Sequence, residues 1–326
     1  MQSYWIQSSA DQTTLERREV PVPEPAAGQV LVRMRAAGLN RGEFLAGHGL
    51  IKAGTAKPAG VEGAGEIARL GDGLTGLKPG DRVMGRCGGA FAEYALMDAR
   101  EAVAIPARLS WEEAAGIPLA FMVVHDMLIA QGRLAAVEWL LVAGISSGVG
   151  VAALQTAKAL GAKVIGTSGS ADKLERLKAA GLDVGIHTRA GDFCDAVMQA
   201  SDGKGANLAV NTVGGSVFAE CVRALAFQGR LATVGYVDGV LKAEIDIEAL
   251  HAKRLTLFGV SNKLRSAAQR AESARGFVAD ILPAITGGRI RPMLDRVYGF
   301  DDLPAAKARM ESNAHLGKIV VGMRDS

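Results

Sequence analysis

Cysteine is scarce in this chain. Cys87, Cys194 and Cys221 are the only three, scattered and with no C-x-x-C among them. An odd, dispersed set argues against a disulfide framework and against a cysteine-rich zinc site, and reads as reduced thiols of a cytoplasmic protein. Long apolar runs are lacking too. The most apolar stretch, 114–130, is interrupted by His125 and Asp126 and is short for a membrane span. The opening MQSYWIQSSADQTTLERREV has no basic start followed by an apolar core, so it does not read as a secretory signal. Nor is charge of one sign concentrated. The 37 Lys and Arg are interspersed with 34 Asp and Glu, for a net +3. That pattern supports neither a nucleic-acid nor a membrane partner.

What is present points to a large, folded, two-domain chain. Its 326 residues exceed the length at which a single core usually stops growing, and 49% of them are hydrophobic. The 41 glycines imply many tight turns or close approaches of backbone to a ligand. The first third alternates polar and apolar residues between turns, as in GQVLVRMRAAGLN and GGAFAEYALMDAREAVAIP, and reads as mostly β. At Ser110 the pattern changes. SWEE carries a capping-box signature, Ser110 with Glu113 three residues later. Short apolar strands then alternate with helices, which implies a parallel, doubly wound sheet. One helix is expected over SVFAECVRALAFQG, and left-handed caps are expected at Gly161, Gly181 and Gly229. The tail after Ser261 gives helix, short strands, helix and a closing strand, and could fold back onto the first domain.

The stretch LLVAGISSGVG is the first strand-to-helix turn of that alternating region. Gly144, Gly148 and Gly150 suit a turn on which a pyrophosphate meets backbone, with Val149 between the last two. The helix start offers N–H groups and the positive end of its dipole, and Ser146 and Ser147 offer hydroxyls. The alternative is a tight turn that binds nothing. The next strand ends in VIGTSGSADK, with no acid before Asp172 where NAD-binding units place a carboxylate for the ribose. Thr167, Ser168 and Lys173 would instead accept a 2′-phosphate, which favours NADPH. Taken alone, Lys173 is more commonly a solvated helix-face lysine.

Together AAGLNRGEF, GVEGAGEI, LKPGDRVMG, GGAFAEYALM, LSWEEAAGIPLAF, the AGISSGVG turn and the closing GKIVVGM resemble the zinc-independent medium-chain dehydrogenase/reductases. The branch they resemble is that of the NADPH:quinone oxidoreductases and zeta-crystallin-like proteins, and the resemblance spans essentially the whole chain. It implies an α/β fold: a GroES-like, mostly-β catalytic domain over 1–119 and 261–326, and a doubly wound parallel-sheet Rossmann domain over 120–260. It also implies a homodimer. The zinc branch has a Cys where this chain has Asn40, and a His where it has Val61. The four-cysteine lobe is missing as well, so no metal site is expected.

On that resemblance Asn40 matches the active-site asparagine, facing the nicotinamide ribose or the substrate. Without the resemblance it is as readily a turn residue beside Gly38. Glu43 and His48 are weaker candidates on the same loop, and His48 alone reads as a surface histidine. Asn211 and Gly235 match turns on the cofactor side, Arg189 could bind a 2′-phosphate, and Lys318 of the closing strand joins the candidate cofactor contacts. Leu45, Val124, Thr188 and Asn313 depart from residues common among relatives and imply an altered pocket. With no Lewis acid to make an alkoxide, alcohol oxidation is disfavoured. The expected activity is metal-free hydride transfer from NADPH to a small quinone or α,β-unsaturated carbonyl. An enoyl-thioester reductase and a non-catalytic, crystallin-like NADPH-binding protein are the alternatives.

Overall fold

Strand Gln29–Gly38 is the spine of the N-terminal half, its apolar positions Val30, Val32 and Met34 turned into the core. It pairs antiparallel with Glu62–Leu70 on one side and with Tyr94–Asp98 on the other. Arg82–Gly88 joins those two neighbours and closes the ring. The computed structural model describes residues 1–9, 13–44 and 54–324. Near its C-terminal end, Gln29–Gly38 also pairs with Lys318–Gly322, which runs parallel to Leu294–Gly299. The tail therefore returns to the first sheet. A small antiparallel sheet of Thr13–Glu19, Gln2–Ser8 and Ala56–Pro58 completes this half. Phe91, Met97 and Ile67 fill its core, each fully burying a side chain that contributes roughly 1.5–3 kcal/mol.

Contacts divide the chain into two units: residues 1–120, 266–278 and 292–326, and residues 121–265 and 279–291. The second unit holds six parallel strands in the spatial order Val184–His187, Lys163–Ser168, Trp139–Ala143, Ala206–Asn211, Leu225–Thr233, Thr256–Gly259. In chain order that is 3-2-1-4-5-6, the doubly wound arrangement. Leu141, Ile165, Ala209 and Leu231 bury the sheet against Phe193 and Val197. Among the described residues no helix is long and apolar enough to cross a membrane.

Local signals hold where the chain is free to follow them. Ser110 and Glu113 form both bonds of the capping box at the start of helix Trp111–Ala115. Gly161 and Gly181 have positive φ. The expected helix over 216–229 is shorter: Phe218–Arg223 is helical, and Leu225–Thr233 is already strand. Sheet pairing overrides helical propensity here, because Leu225 is in register with Ala206. Gly229 therefore lies inside that strand rather than capping a helix, and the preceding Gln228 carries the positive φ.

Candidate active site

The sheet of the second unit has its switch point between Trp139–Ala143 and Ala206–Asn211, where neighbouring strands lead into connections of opposite sense. Thr212 binds the two strand ends together. Its backbone N–H (3.3 Å) and its Oγ1 (2.8 Å) both donate to the Ala143 carbonyl. Gly144 follows at φ +82°, and a Cβ there would lie 2.5 Å from Thr212 Oγ1. Only glycine satisfies both the dihedral and the space.

Helix Gly148–Ala159 starts at once. Ser147 is its N-cap, with Oγ accepting from Gly150 N–H and donating to the Gly144 carbonyl, both at 3.0 Å. The Ser147 proton is thus used inside the turn. Gly148 and Val149 open the helix and are half-buried. A Cβ on Gly150 would meet the Ile145 backbone at 2.6 Å, and one on Gly166 would overlap the Ile145 side chain. Helix and sheet therefore close on Ile145, which is fully buried.

The hydroxyl-bearing strand end lies alongside. Thr167 Oγ1 accepts from Gly144 N–H (3.2 Å), and Ser168 Oγ donates to Ser146 Oγ (3.4 Å). Both Thr167 and Ser168 are buried. A Cβ on Gly169 would overlap the exposed Arg189 side chain, so that guanidinium arm lies over the end of the same strand. Lys173 is half-buried in the first turn of helix Ala171–Lys178, its N–H donating to Ser170 Oγ at 3.4 Å. Asn211 is buried. Its Oδ1 accepts from the N–H groups of Val213 and Gly214 and its Nδ2 donates to the Gly214 carbonyl, which shapes the turn. Its carbonyl accepts from Val234 and Gly235, tying the next strand end to the same place. Thr188 is bound to Asp192.

Lys318 lies in the first unit, on the strand paired with Gln29–Gly38. Its Nζ donates to Glu62 Oε1 (2.5 Å), the Leu39 carbonyl (2.8 Å) and Asn40 Oδ1 (3.0 Å). Glu62 is fully buried and Lys318 nearly so. Glu62 Oε1 also accepts from Asn40 Nδ2 (2.8 Å), while Oε2 accepts from Leu119 N–H (2.7 Å). Gly38 leaves the room this needs, since a Cβ there would lie 2.7 Å from Glu62 Oε1. Glu62 stands in the GVEGAGE motif beside Val61, yet only Val61 stands out by sequence. A carboxylate next to a missing metal ligand was the available signal.

Glu43 sits on the short helix Arg41–Phe44, fully buried. Its Oε1 accepts from Gly60 N–H at 2.6 Å, and its Oε2 is buried with no partner. Burial pushes its carboxyl up to about 7, the Glu62 charge adds to this, and the Gly60 N–H, Lys57 and Lys318 oppose it. His48 and Leu45 lie outside the described residues. Val124 is buried, ending helix Pro118–Val124, and Asn313 takes a positive φ.

Known proteins share this architecture. Residues 26–107 match the alcohol dehydrogenase GroES-like domain, and residues 148–273 match the zinc-binding dehydrogenase family. A mycobacterial protein solved in complex with NADPH is 25% identical, with a TM-score of 0.89 and 99% of both chains covered. A quinone oxidoreductase of Pseudomonas syringae is 26% identical, with a TM-score of 0.86, over 99% of this chain and all of that one. A phenolphthiocerol/phthiocerol polyketide synthase of Mycobacterium tuberculosis is 31% identical over 95% of this chain, which spans only 14% of the synthase polypeptide. The chain belongs to the medium-chain dehydrogenase/reductases, a family of NAD(P)-dependent oxidoreductases.

Zinc, which the name of the second family implies, does not suit these side chains. Its ion needs at least three well-placed N, S or O ligands. The Glu62 carboxylate is instead paired with an ammonium, and no group of three His, Cys, Asp or Glu among the described residues could hold a metal.

Proposed function

We propose that this protein is an NADPH-dependent, metal-free reductase of quinones or α,β-unsaturated carbonyls. The observation that carries the reading is the end of strand Lys163–Ser168. It presents Thr167 and Ser168 in place of an acid, with the Arg189 guanidinium arm against Gly169. A carboxylate there would repel a 2′-phosphate, whereas hydroxyls and a guanidinium bind one. The Gly144–Gly150 turn supplies the backbone approach and helix start for the pyrophosphate. When bound, NADPH supplies the hydride.

The protein's remaining work is to hold and orient. Asn40, fixed between Lys318 and Glu62, is the side chain we assign to the reacting end of the site. A quinone or enone is already electron-poor, so positioning suffices where an alcohol would need a Lewis acid or a placed base. The likeness to a quinone oxidoreductase and to an NADPH complex supports this reading. The polyketide synthase relative favours a second one, reduction of an enoyl thioester.

The test follows NADPH and NADH oxidation by the purified protein against quinones, simple enones and enoyl thioesters of increasing chain length. Turnover of quinones or enones with NADPH, and at least tenfold less with NADH, is the expected result. A rate that climbs with thioester chain length selects the second reading. Tight NADPH binding with no turnover on any acceptor defeats both and leaves a cofactor-binding protein.

A further inference from the structure

Two buried charges, Lys318 and Glu62, lie where the proposed reaction gives them no direct part. Both hold Asn40. Lys318 Nζ has three hydrogens and makes three bonds, so none is left for a ligand. Glu62 spends one oxygen on Lys318 and Asn40 and the other on Leu119 N–H. An ammonium only donates and a carboxylate only accepts. The Asn40 amide beside them therefore has one permitted orientation: Oδ1 to Lys318 and Nδ2 to Glu62. Its second Nδ2 hydrogen points to the Gly38 carbonyl at 3.4 Å. The remaining capacity of the half-buried amide is a lone pair on Oδ1.

We propose that Lys318 and Glu62 are positioning residues that lock Asn40 so that it meets its ligand as a hydrogen-bond acceptor. The proposal rests on the reading of Asn40 as a site residue and deepens it. An acceptor binds a hydroxyl, of the kind the cofactor's ribose carries. It does not bind the carbonyl oxygen of a quinone or enone, which needs a donor. Removing the lock frees the amide to rotate, with the same consequence as removing the amide.

A double-mutant cycle on the full-length protein tests this. Asn40→Ala, Lys318→Met and the double variant are compared by NADPH dissociation constant, measured by cofactor fluorescence, and by kcat and the KM for a quinone acceptor. Asn40→Ala is expected to weaken NADPH about tenfold, the worth of one hydrogen bond, and to leave the acceptor KM unchanged. Lys318→Met should do the same within about threefold, and the double variant should be no worse than Asn40→Ala. If Lys318→Met does not fold, the pair Lys318→Met with Glu62→Leu, which removes both anchors and strands neither charge, carries the same cycle. Effects that multiply in the double variant overturn the lock, as does a Lys318→Met protein that melts earlier with unchanged NADPH binding. A change confined to the acceptor KM overturns the acceptor role. If Asn40→Ala itself binds NADPH and turns over normally, the underlying reading of Asn40 falls instead, whatever Lys318 does.

Discussion

The Gly144–Gly150 turn and the Asn40 cluster are built on opposite plans. Gly144, Ser147 and Gly150 are near neighbours in sequence, and the bonds within their turn are mostly backbone or local. Asn40, Glu62, Leu119 and Lys318 are spread over nearly the whole chain, and their bonds run through a buried ion pair. A turn made of local bonds tolerates the loss of one of them. A buried pair does not, because deleting either partner strands the other charge away from water.

The largest effect expected from that contrast is on Glu62→Ala. Stranding the Lys318 ammonium should cost about 3–5 kcal/mol, read as a lowered denaturation midpoint in urea. An unchanged midpoint would erase the difference between the two regions.

Next comes Glu43, whose folded carboxyl is pushed up to about 7 from an ordinary 4.5. Because the folded state holds the proton more tightly, stability is full below about pH 4.5 and declines as pH rises through 7. The total loss is about 3 kcal/mol. Comparing wild type with Glu43→Gln by denaturation at pH 5 and pH 8 isolates it. Between those two pH values the wild type should lose most of that amount, about 2.5 kcal/mol, relative to the variant, and parallel pH curves would refute the buried carboxyl.

In the second unit the effects should be smaller and directed at the ligand. Arg189→Ala is expected to weaken NADPH by about ten- to a hundredfold, as for a lost charge-assisted bond, while NADH binding stays unchanged. Equal losses for both cofactors would remove Arg189 from the 2′-phosphate. Smallest is Ser147→Ala, a lost N-cap worth about 1 kcal/mol, visible as a melting temperature a few degrees lower.

Much of the second unit was legible in the chain. Strand-helix alternation and glycine punctuation are local and imply a parallel, doubly wound sheet, while its 3-2-1-4-5-6 order is set by which strands pair. The failure at 216–229 is instructive. ALAFQG satisfies helical spacing, but strand pairing with Ala206–Asn211 outweighs a propensity difference of a few tenths of a kcal/mol per residue. Ser147 was legible as a polar residue in the turn. That its hydroxyl is spent on Gly144 and Gly150 depends on the helix beginning one residue later.

The sequence by itself determined the residues at short range: a glycine at 144 where the turn needs positive φ, no acid after the second strand of the parallel sheet, and Asn40 and Val61 at positions where the resemblance to the zinc branch would place ligands. These are properties of single positions and short spacings. Tertiary structure alone decided that Lys318 joins Asn40 in one hydrogen-bonded cluster, that Glu62 is the hub between them, and that Glu43 loses its water. Each depends on which distant strands pair, and on how far burial strengthens a charge's neighbours and raises the cost of having none.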